Sequence, residues 1–447
     1  MNRDSVEPQV TDVPGEIAES VADFHHENAA KTTYVCEFAW DYTEPAIGPF
    51  CTDVDGNVLM DFTGHVGASP LGYNNPKIME KLEAFDLVDP LKVAGQDFYL
   101  PAQGVPESGA AIPGPADLMD RLTDISDHYD MDTVFLSNSG AEAVENALKI
   151  SFDHTHGKYT ITTHGAFHGR TLGTLSLNRS RSKYRSHFPE IDGVEDMPYC
   201  NNASCSSETC ECGFFFDDTS VLREMLDSET GYVAADEVAA LIIEPFQGEG
   251  GYRPPSEAFM DEIAEMTEKH NLTLIADEIQ SGLGRTGEWW ASDHYAIEPD
   301  VISSAKGLRV GATISREEVF PDKKGRISST WGAGDLAASA QGVATLDAIE
   351  EYDLLDNTTE RGQQMQALMH ELEMPGAVDV RGKGLMLAVE FDSEERRDAI
   401  QEGTFSRGLL TIGCGKKTLR LLPPLDVTER EIRMAADIIN DTAKAIA

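Results

Sequence analysis

Lys306 stands in PDVISSAKGLRVG, directly after a run of apolar and small residues. The chain has fifteen lysines against 78 acidic residues, and most of those lysines lie in polar surroundings. A lysine planted at the end of a buried strand sheds its proton more readily and becomes a nucleophile. Four other stretches close comparable runs. Ser139-Gly140-Ala141 follows DTVFL, and small residues opening a helix present backbone N–H groups to an anion such as phosphate. HGAFHGRT, with Phe167 and Arg170, follows YTITT. EPFQGEGG, with Glu244 and Glu249, follows AALII, and Asp277 with Gln280 follows LTLIA. An anion nest, an aromatic plate, an arginine, a carboxylate and a lysine together suit one kind of small molecule. It is flat and aromatic, with a phosphate, a ring nitrogen to keep protonated and an aldehyde for the lysine: pyridoxal phosphate. Lys306 then holds it as a Schiff base, Asp277 pairs with the ring nitrogen and Phe167 stacks on the ring. Singly, each feature has a plainer reading: a strand-ending acid caps a helix, a lysine snorkels, a phenylalanine packs in a core. Their ordered occurrence after successive strands is what argues for chemistry.

The elements that must position these residues are short apolar or β-branched runs alternating with helical stretches such as GAEAVENALKI, where Val144, Ala147 and Leu148 share a face. Such alternation predicts an α/β fold with a mostly parallel sheet covered by helices on both sides. Ligands of such sheets bind beyond the carboxyl ends of the strands, which is where all the residues above fall. Residues 1–75 read as a polar arm and part of a small domain that includes a hairpin in FCTDVDGNVLMDFT. Residues 76–334 read as the large cofactor-binding domain, and 335–447 as the C-terminal part of the small α+β domain.

The 447-residue chain carries a formal net charge of −43, with acids spread along its whole length. A dispersed acidic surface excludes nucleic acid and anionic membranes as partners. It also repels itself unless salt screens it, so a salt-loaded cytoplasm, as in a halophile, is expected. The first residues are acidic and polar, and no apolar run is long enough to span a membrane, which predicts a cytoplasmic protein.

The stretches SNSGAEA, AFHGRTLG, IIEPFQGEGG, ADEIQSGLGRTG, ISSAKG, SSTWGAG, VRGKGLMLAVEF and LRLLPPL resemble those of class III pyridoxal-phosphate-dependent aminotransferases, which have fold type I. The resemblance runs from about Cys51 to the C-terminus, and the pair Asp277 and Lys306, 29 positions apart, lies in its most specific part. It implies that Lys306 is the Schiff-base lysine and proton shuttle, and that Asp277 holds the ring nitrogen. Gln280 lies near the ring hydroxyl, and Ser139, Gly140 and Ala141 hold the phosphate. Thr330 reaches the phosphate of a neighbouring subunit, so the active unit is a homodimer, with a tetramer as the alternative. Arg170 resembles the arginine for a distal carboxylate in 4-aminobutyrate and lysine 6-aminotransferases. Arg420 resembles the arginine for the α-carboxylate of 2-oxoglutarate or glutamate, and Glu249 its gate. The implied reaction moves the amino group of an ω-amino acid, 4-aminobutyrate first, to 2-oxoglutarate. The alternatives are a lysine, ornithine or other diamino-acid aminotransferase, a racemase of the same family, and a non-catalytic metal-binding protein on the same fold. AKGLRVGATIS departs from the family pattern, and as a loop near the substrate it bears on specificity.

Seven cysteines are present, and Cys200, Cys205, Cys210 and Cys212 fall within thirteen residues as C-x4-C-x4-C-x-C. Four thiolates can bind structural zinc or hold an iron–sulfur cluster. The spacing matches neither common zinc pattern, and a metal-free loop, reduced or disulfide-linked, is the other reading. Cys36, Cys51 and Cys414 read as single buried thiols.

Overall fold

Seven strands form the main sheet: β1 (Thr133–Ser137), β2 (Tyr159–Thr163), β3 (Val194–Met197), β4 (Val238–Ile243), β5 (Leu274–Asp277), β6 (Val301–Ser304) and β7 (Gly311–Ser315). Their order is β1-β7-β6-β5-β4-β2-β3. β3, β2, β4, β5 and β6 run parallel, and β7 is antiparallel to both β6 and β1. This computed structural model describes residues 1–33, 38–84, 95–329 and 333–446.

The central strands are continuous apolar runs rather than alternating ones because both faces are covered. Ala240, Ile242, Ile275 and Val301 pack on Val144, Ala147, Leu148 and Ile150. Those four belong to α2 (Gly140–Thr155), which follows α1 (Pro115–Asp124) in the chain. The opposite face presents Leu241, Ile243 and Leu274 to Phe259, Met260, Ile263 and Met266 of α3 (Glu257–His270). On that same face Ala276 and Ile302 join Leu118 and Leu122 of α1, and Val343 and Leu346 of α4 (Leu336–Glu351). The result is a helix–sheet–helix sandwich, the mixed and mostly parallel architecture of fold type I.

The chain divides into two units, Glu80–Leu355 and Met1–Met79 with Asp356–Ala447. Helix α4 therefore belongs with the large sheet, because its apolar face is part of that sheet's core. The other unit contains a three-stranded sheet of Phe50–Thr52, Val58–Asp61 and Leu409–Leu410. It also holds a four-stranded sheet of Ala377–Lys383, Met386–Phe391, Thr418–Leu421 and Ile412–Cys414, and the helices Glu394–Phe405 and Glu429–Ile446. Within the stretch that reads as an arm, Glu16–Asn28 is helical, and only Ala18 of it is buried.

Two strands differ from the expectation. β3 is VEDM, an edge strand whose two acids hide its pattern. β7 lies in the stretch expected as a substrate loop; it is instead an interior strand, buried at every position. Among the described residues, no helix is long and apolar enough to cross a membrane.

Candidate active site

Five strand ends of the sheet each deliver one part of a site. At the end of β1, Ser139 caps α2, its Oγ accepting the Glu142 N–H at 3.2 Å. The first N–H groups of a helix have no intrahelical acceptor and face outward with the positive end of its dipole. Gly140 and Ala141 supply them here. A Cβ on Gly140 would stand 2.8 Å from Ile279 Cδ1, so the turn closes against the segment that follows β5.

After β2 the chain turns through Phe167, His168 and Arg170. Backbone N–H groups fix this turn: Phe167 donates to Glu244 Oε1 at 3.0 Å and His168 to Asn178 Oδ1 at 2.7 Å. Phe167 is half-buried, with its ring centroid 5.6 Å from that of Tyr184. The exposed Arg170 guanidinium lies 5.8 Å from the Phe167 ring centroid and 5.4 Å from that of Tyr184.

After β4, Glu244 is buried and also accepts the Gly248 N–H, at 2.8 Å through Oε2. Burial pushes its carboxyl up to about 7; His168 opposes the shift and the charge of Asp277 adds to it. Glu249 accepts the Tyr184 hydroxyl at 3.1 Å, and Arg181 Nε lies 3.9 Å away.

At the end of β5, Asp277 is 4% exposed. Its Oδ2 lies 2.7 Å from His168 Nδ1, and its Oδ1 accepts the Ile279 N–H at 3.2 Å. A carboxylate has acceptor sites beyond these two. Glu278, the next residue, is buried and accepts from Ser292 N–H and Oγ, each at 2.8 Å, and from Ser281 Oγ at 2.6 Å. Gln280 lies against Gly248, where any Cβ would overlap its Oε1. Ser303 of β6 is in register with Asp277, and the half-buried Lys306 follows three residues on, opening the 3₁₀ turn Lys306–Leu308.

The large unit thus gathers Ser139, Gly140, Ala141, Phe167, Arg170, Glu249, Asp277, Gln280 and Lys306 at the carboxyl ends of β1, β2, β4, β5 and β6. Arg420 lies in the other unit, on Thr418–Leu421, opposite Ala388 and Ile412, and is 6% exposed. Thr330 and Cys36 lie outside the described residues. Cys51 and Cys414 are buried. One residue escaped the sequence reading of the site, and another was named there without a role. His168 sits beside the singled-out Phe167 but carries no pattern of its own; its contact with Asp277 spans 109 positions. Glu244 was named at its strand end, but its role as acceptor for the Phe167 and Gly248 N–H groups shows only in the structure.

This donor set fits pyridoxal phosphate. A helix N-terminus opened by a glycine suits its phosphate, and a buried carboxylate held by an imidazole suits a ring N–H. A lysine stands at the neighbouring strand end, three residues past the register partner of that carboxylate.

Fold and site together define a fold type I pyridoxal-phosphate enzyme. Residues 37–443 match the aminotransferase class-III family, and the chain belongs to it. It is 31% identical over 404 residues to the acetylornithine aminotransferase of Synechocystis sp., covering 87% of this chain and 85% of that protein. It is 32% identical over 418 residues to the alanine/serine racemase of Pyrococcus horikoshii, covering 89% and 84%. The solved lysine aminotransferase from M. tuberculosis superimposes with a TM-score of 0.80 at 26% identity, covering 95% of this chain and 99% of that one.

Proposed function

We propose that this aminotransferase takes the terminal amino group of a donor whose carboxylate lies at the far end, and passes it to 2-oxoglutarate. The observation that carries the reading is Arg170. Its guanidinium lies close to the two rings of Phe167 and Tyr184 and is exposed beside the strand ends. Cation–π contact holds a guanidinium in place while leaving its N–H groups available to a carboxylate. 4-Aminobutyrate is one donor of this kind. N-acetylornithine is another, and the names of the curated relatives put it first.

Bound pyridoxal phosphate supplies an electron sink for the carbon that loses its proton. The residues of the chain do the rest. Gly140 and Ala141 N–H groups bind the phosphate at the start of α2. Asp277 keeps a proton on the ring nitrogen, and His168 fixes the orientation of that carboxylate. Phe167 limits the tilt of the ring. Lys306 Nζ takes the proton from the amine-bearing carbon and would deliver it to the cofactor's aldehyde carbon rather than back to the substrate, which requires a neutral amine in a half-buried position. Glu249, tethered by Tyr184, is the carboxylate that moves when a second acidic substrate enters. Arg420 would bind the α-carboxylate of that substrate.

A donor screen tests the reading, with glutamate formed from 2-oxoglutarate as the signal. N-acetylornithine, 4-aminobutyrate, ornithine and lysine are compared with alanine and serine. Turnover with one or more terminal amines, exceeding that with alanine and serine, is expected. Glutamate formed only from alanine or serine, or racemisation of these without glutamate, would overturn it in favour of the racemase alternative.

A further inference from the structure

Outside the site above, the densest cluster of metal-binding side chains among the described residues is Cys200, Cys205, Cys210 and Cys212. Their four Sγ atoms all lie within 4.8 Å of one another. Cys200 and Cys210 are 3.8 Å apart at sulfur, and Cys205 and Cys212 are 3.7 Å apart. We infer that these four thiolates bind a single zinc ion in a closed tetrahedral site that braces the segment carrying Glu249.

The distances select a single tetrahedral ion over a disulfide and over an iron–sulfur cluster. Four ligands at a Zn–S length of about 2.3 Å stand at the corners of a tetrahedron with edges of about 3.8 Å. A disulfide needs sulfurs about 2.05 Å apart, and neither pair is that close. An iron–sulfur cluster spreads its thiolates over two or more irons, which holds them farther apart than one ion does. The sequence spacing is unusual because the loop does not use two Cys-x2-Cys knuckles. It folds through separate turns, with Cys205 N–H donating to Asn202 O and Ser206 N–H to Thr209 O, both at 2.9 Å. No helix or strand lies between Met197 and Phe215, so the loop has little regular structure of its own to hold it.

What the ion would brace follows from the contacts of Cys200. Its Sγ accepts the Ser256 hydroxyl at 3.3 Å and its carbonyl accepts the Ser256 N–H at 2.8 Å. Ser256 is the N-cap of α3. Next to Cys200, Tyr199 donates its hydroxyl to the Glu244 carbonyl at 3.1 Å. The segment between Glu244 and Ser256, which contains Glu249, is therefore pinned at both ends to the chain entering the cysteine loop. Cys200 and Cys205 are buried with Tyr199, Phe214 and Phe259, so the ligands are fixed on the core side. Zinc binding releases the thiol protons to solvent and changes no oxidation state.

The test is metal analysis of the untagged full-length holoenzyme after dialysis against metal-free buffer. One zinc per chain is expected, absent from Cys205→Ser/Cys212→Ser. Replacement by cobalt should give the visible bands of tetrahedral cobalt thiolate. Zinc-free protein that also takes up no added zinc or cobalt, iron with sulfide, or disulfides found by mass spectrometry would each overturn the inference. If the double variant does not fold, the metal content and cobalt spectrum of the unaltered chain decide alone. The bracing role is read separately, from the thermal midpoint before and after the zinc is stripped with an organomercurial and chelator. A fall is expected, and an unchanged midpoint overturns that role. None of these readouts depends on the amino donor.

Discussion

His168 Nδ1 lies 2.7 Å from Asp277 Oδ2, with both side chains almost wholly out of contact with solvent. With its Nδ1 protonated, the imidazole holds the carboxylate toward the strand ends and supports its charge without competing for the ring nitrogen of the cofactor. A hydrogen bond to a charged group contributes roughly 1.5–3 kcal/mol. His168→Leu should therefore weaken binding of pyridoxal phosphate by about tenfold to a hundredfold, measured by titrating the apoenzyme. His168→Asn, which can still donate, should recover part of the loss. Equal affinity in all three proteins would sink this positioning role.

Glu278 gives a pH signature separate from catalysis. Burial pushes its carboxyl from 4.5 to about 7, against the hydrogen bonds from Ser281 and Ser292. Between those two values the folded protein keeps a proton that the unfolded chain has released. Stability is therefore lost as pH rises from about 4.5 to about 7, and the loss is complete above that. Glu244, also at about 7, acts in the same direction. Glu278→Gln keeps an oxygen for Ser292 and removes the titration. Its denaturant midpoint should fall less steeply with pH across that window, at roughly 1.4 kcal/mol per unit of removed shift. Parallel pH profiles would refute the assignment.

The sheet was legible where strands are buried on both faces, because apolar runs such as AALII and LTLIA need no partner to be recognised. The residues just past those runs were legible as a site for the same reason. What stayed hidden depends on long-range contact. The edge strand VEDM is polar because it is half-exposed. Gly311–Ser315 was expected as a loop from the family resemblance, and only its pairing with β6 and β1 shows it as a strand. The Asp277–His168 and Glu244–Phe167 contacts join segments distant in sequence, so no local pattern announces them.

Gly311 faces Ser137 across the β7–β1 pair. A Cβ there would overlap both the Ser137 hydroxyl and the Ser139 carbonyl oxygen, which is backbone and cannot swing aside. Gly311→Ala should therefore displace the turn that opens α2, costing about 1–3 kcal/mol of stability and lowering cofactor affinity. Gly140→Ala meets only the Ile279 side chain, at 2.8 Å from Cδ1 and 3.1 Å from Cγ2, with no backbone atom in the way, and should cost less. Unfolding curves and cofactor titrations on both variants check the contrast; a Gly311→Ala protein as stable as its parent would refute it.

Arg3 ties the first residues of the chain to its last helix. Its Nε lies 2.8 Å from Glu431 Oε1 and its Nη1 2.7 Å from Asp426 Oδ2. The Glu431 side chain is 1% exposed, so Arg3 neutralises a charge that water does not reach. Glu431 also closes a capping box, its Oε2 accepting the Thr428 N–H at 2.8 Å while Thr428 Oγ1 accepts the Glu431 N–H at 3.3 Å. Removing one partner of a buried pair strands the other, at a cost of roughly 3–5 kcal/mol. Arg3→Met should lower the urea midpoint accordingly. Glu431→Gln in the same chain keeps the capping box and removes the stranded charge, so the double variant should recover much of the loss. A double variant no more stable than Arg3→Met would show that Arg3 acts through its packing and through Asp426, and not by neutralising Glu431.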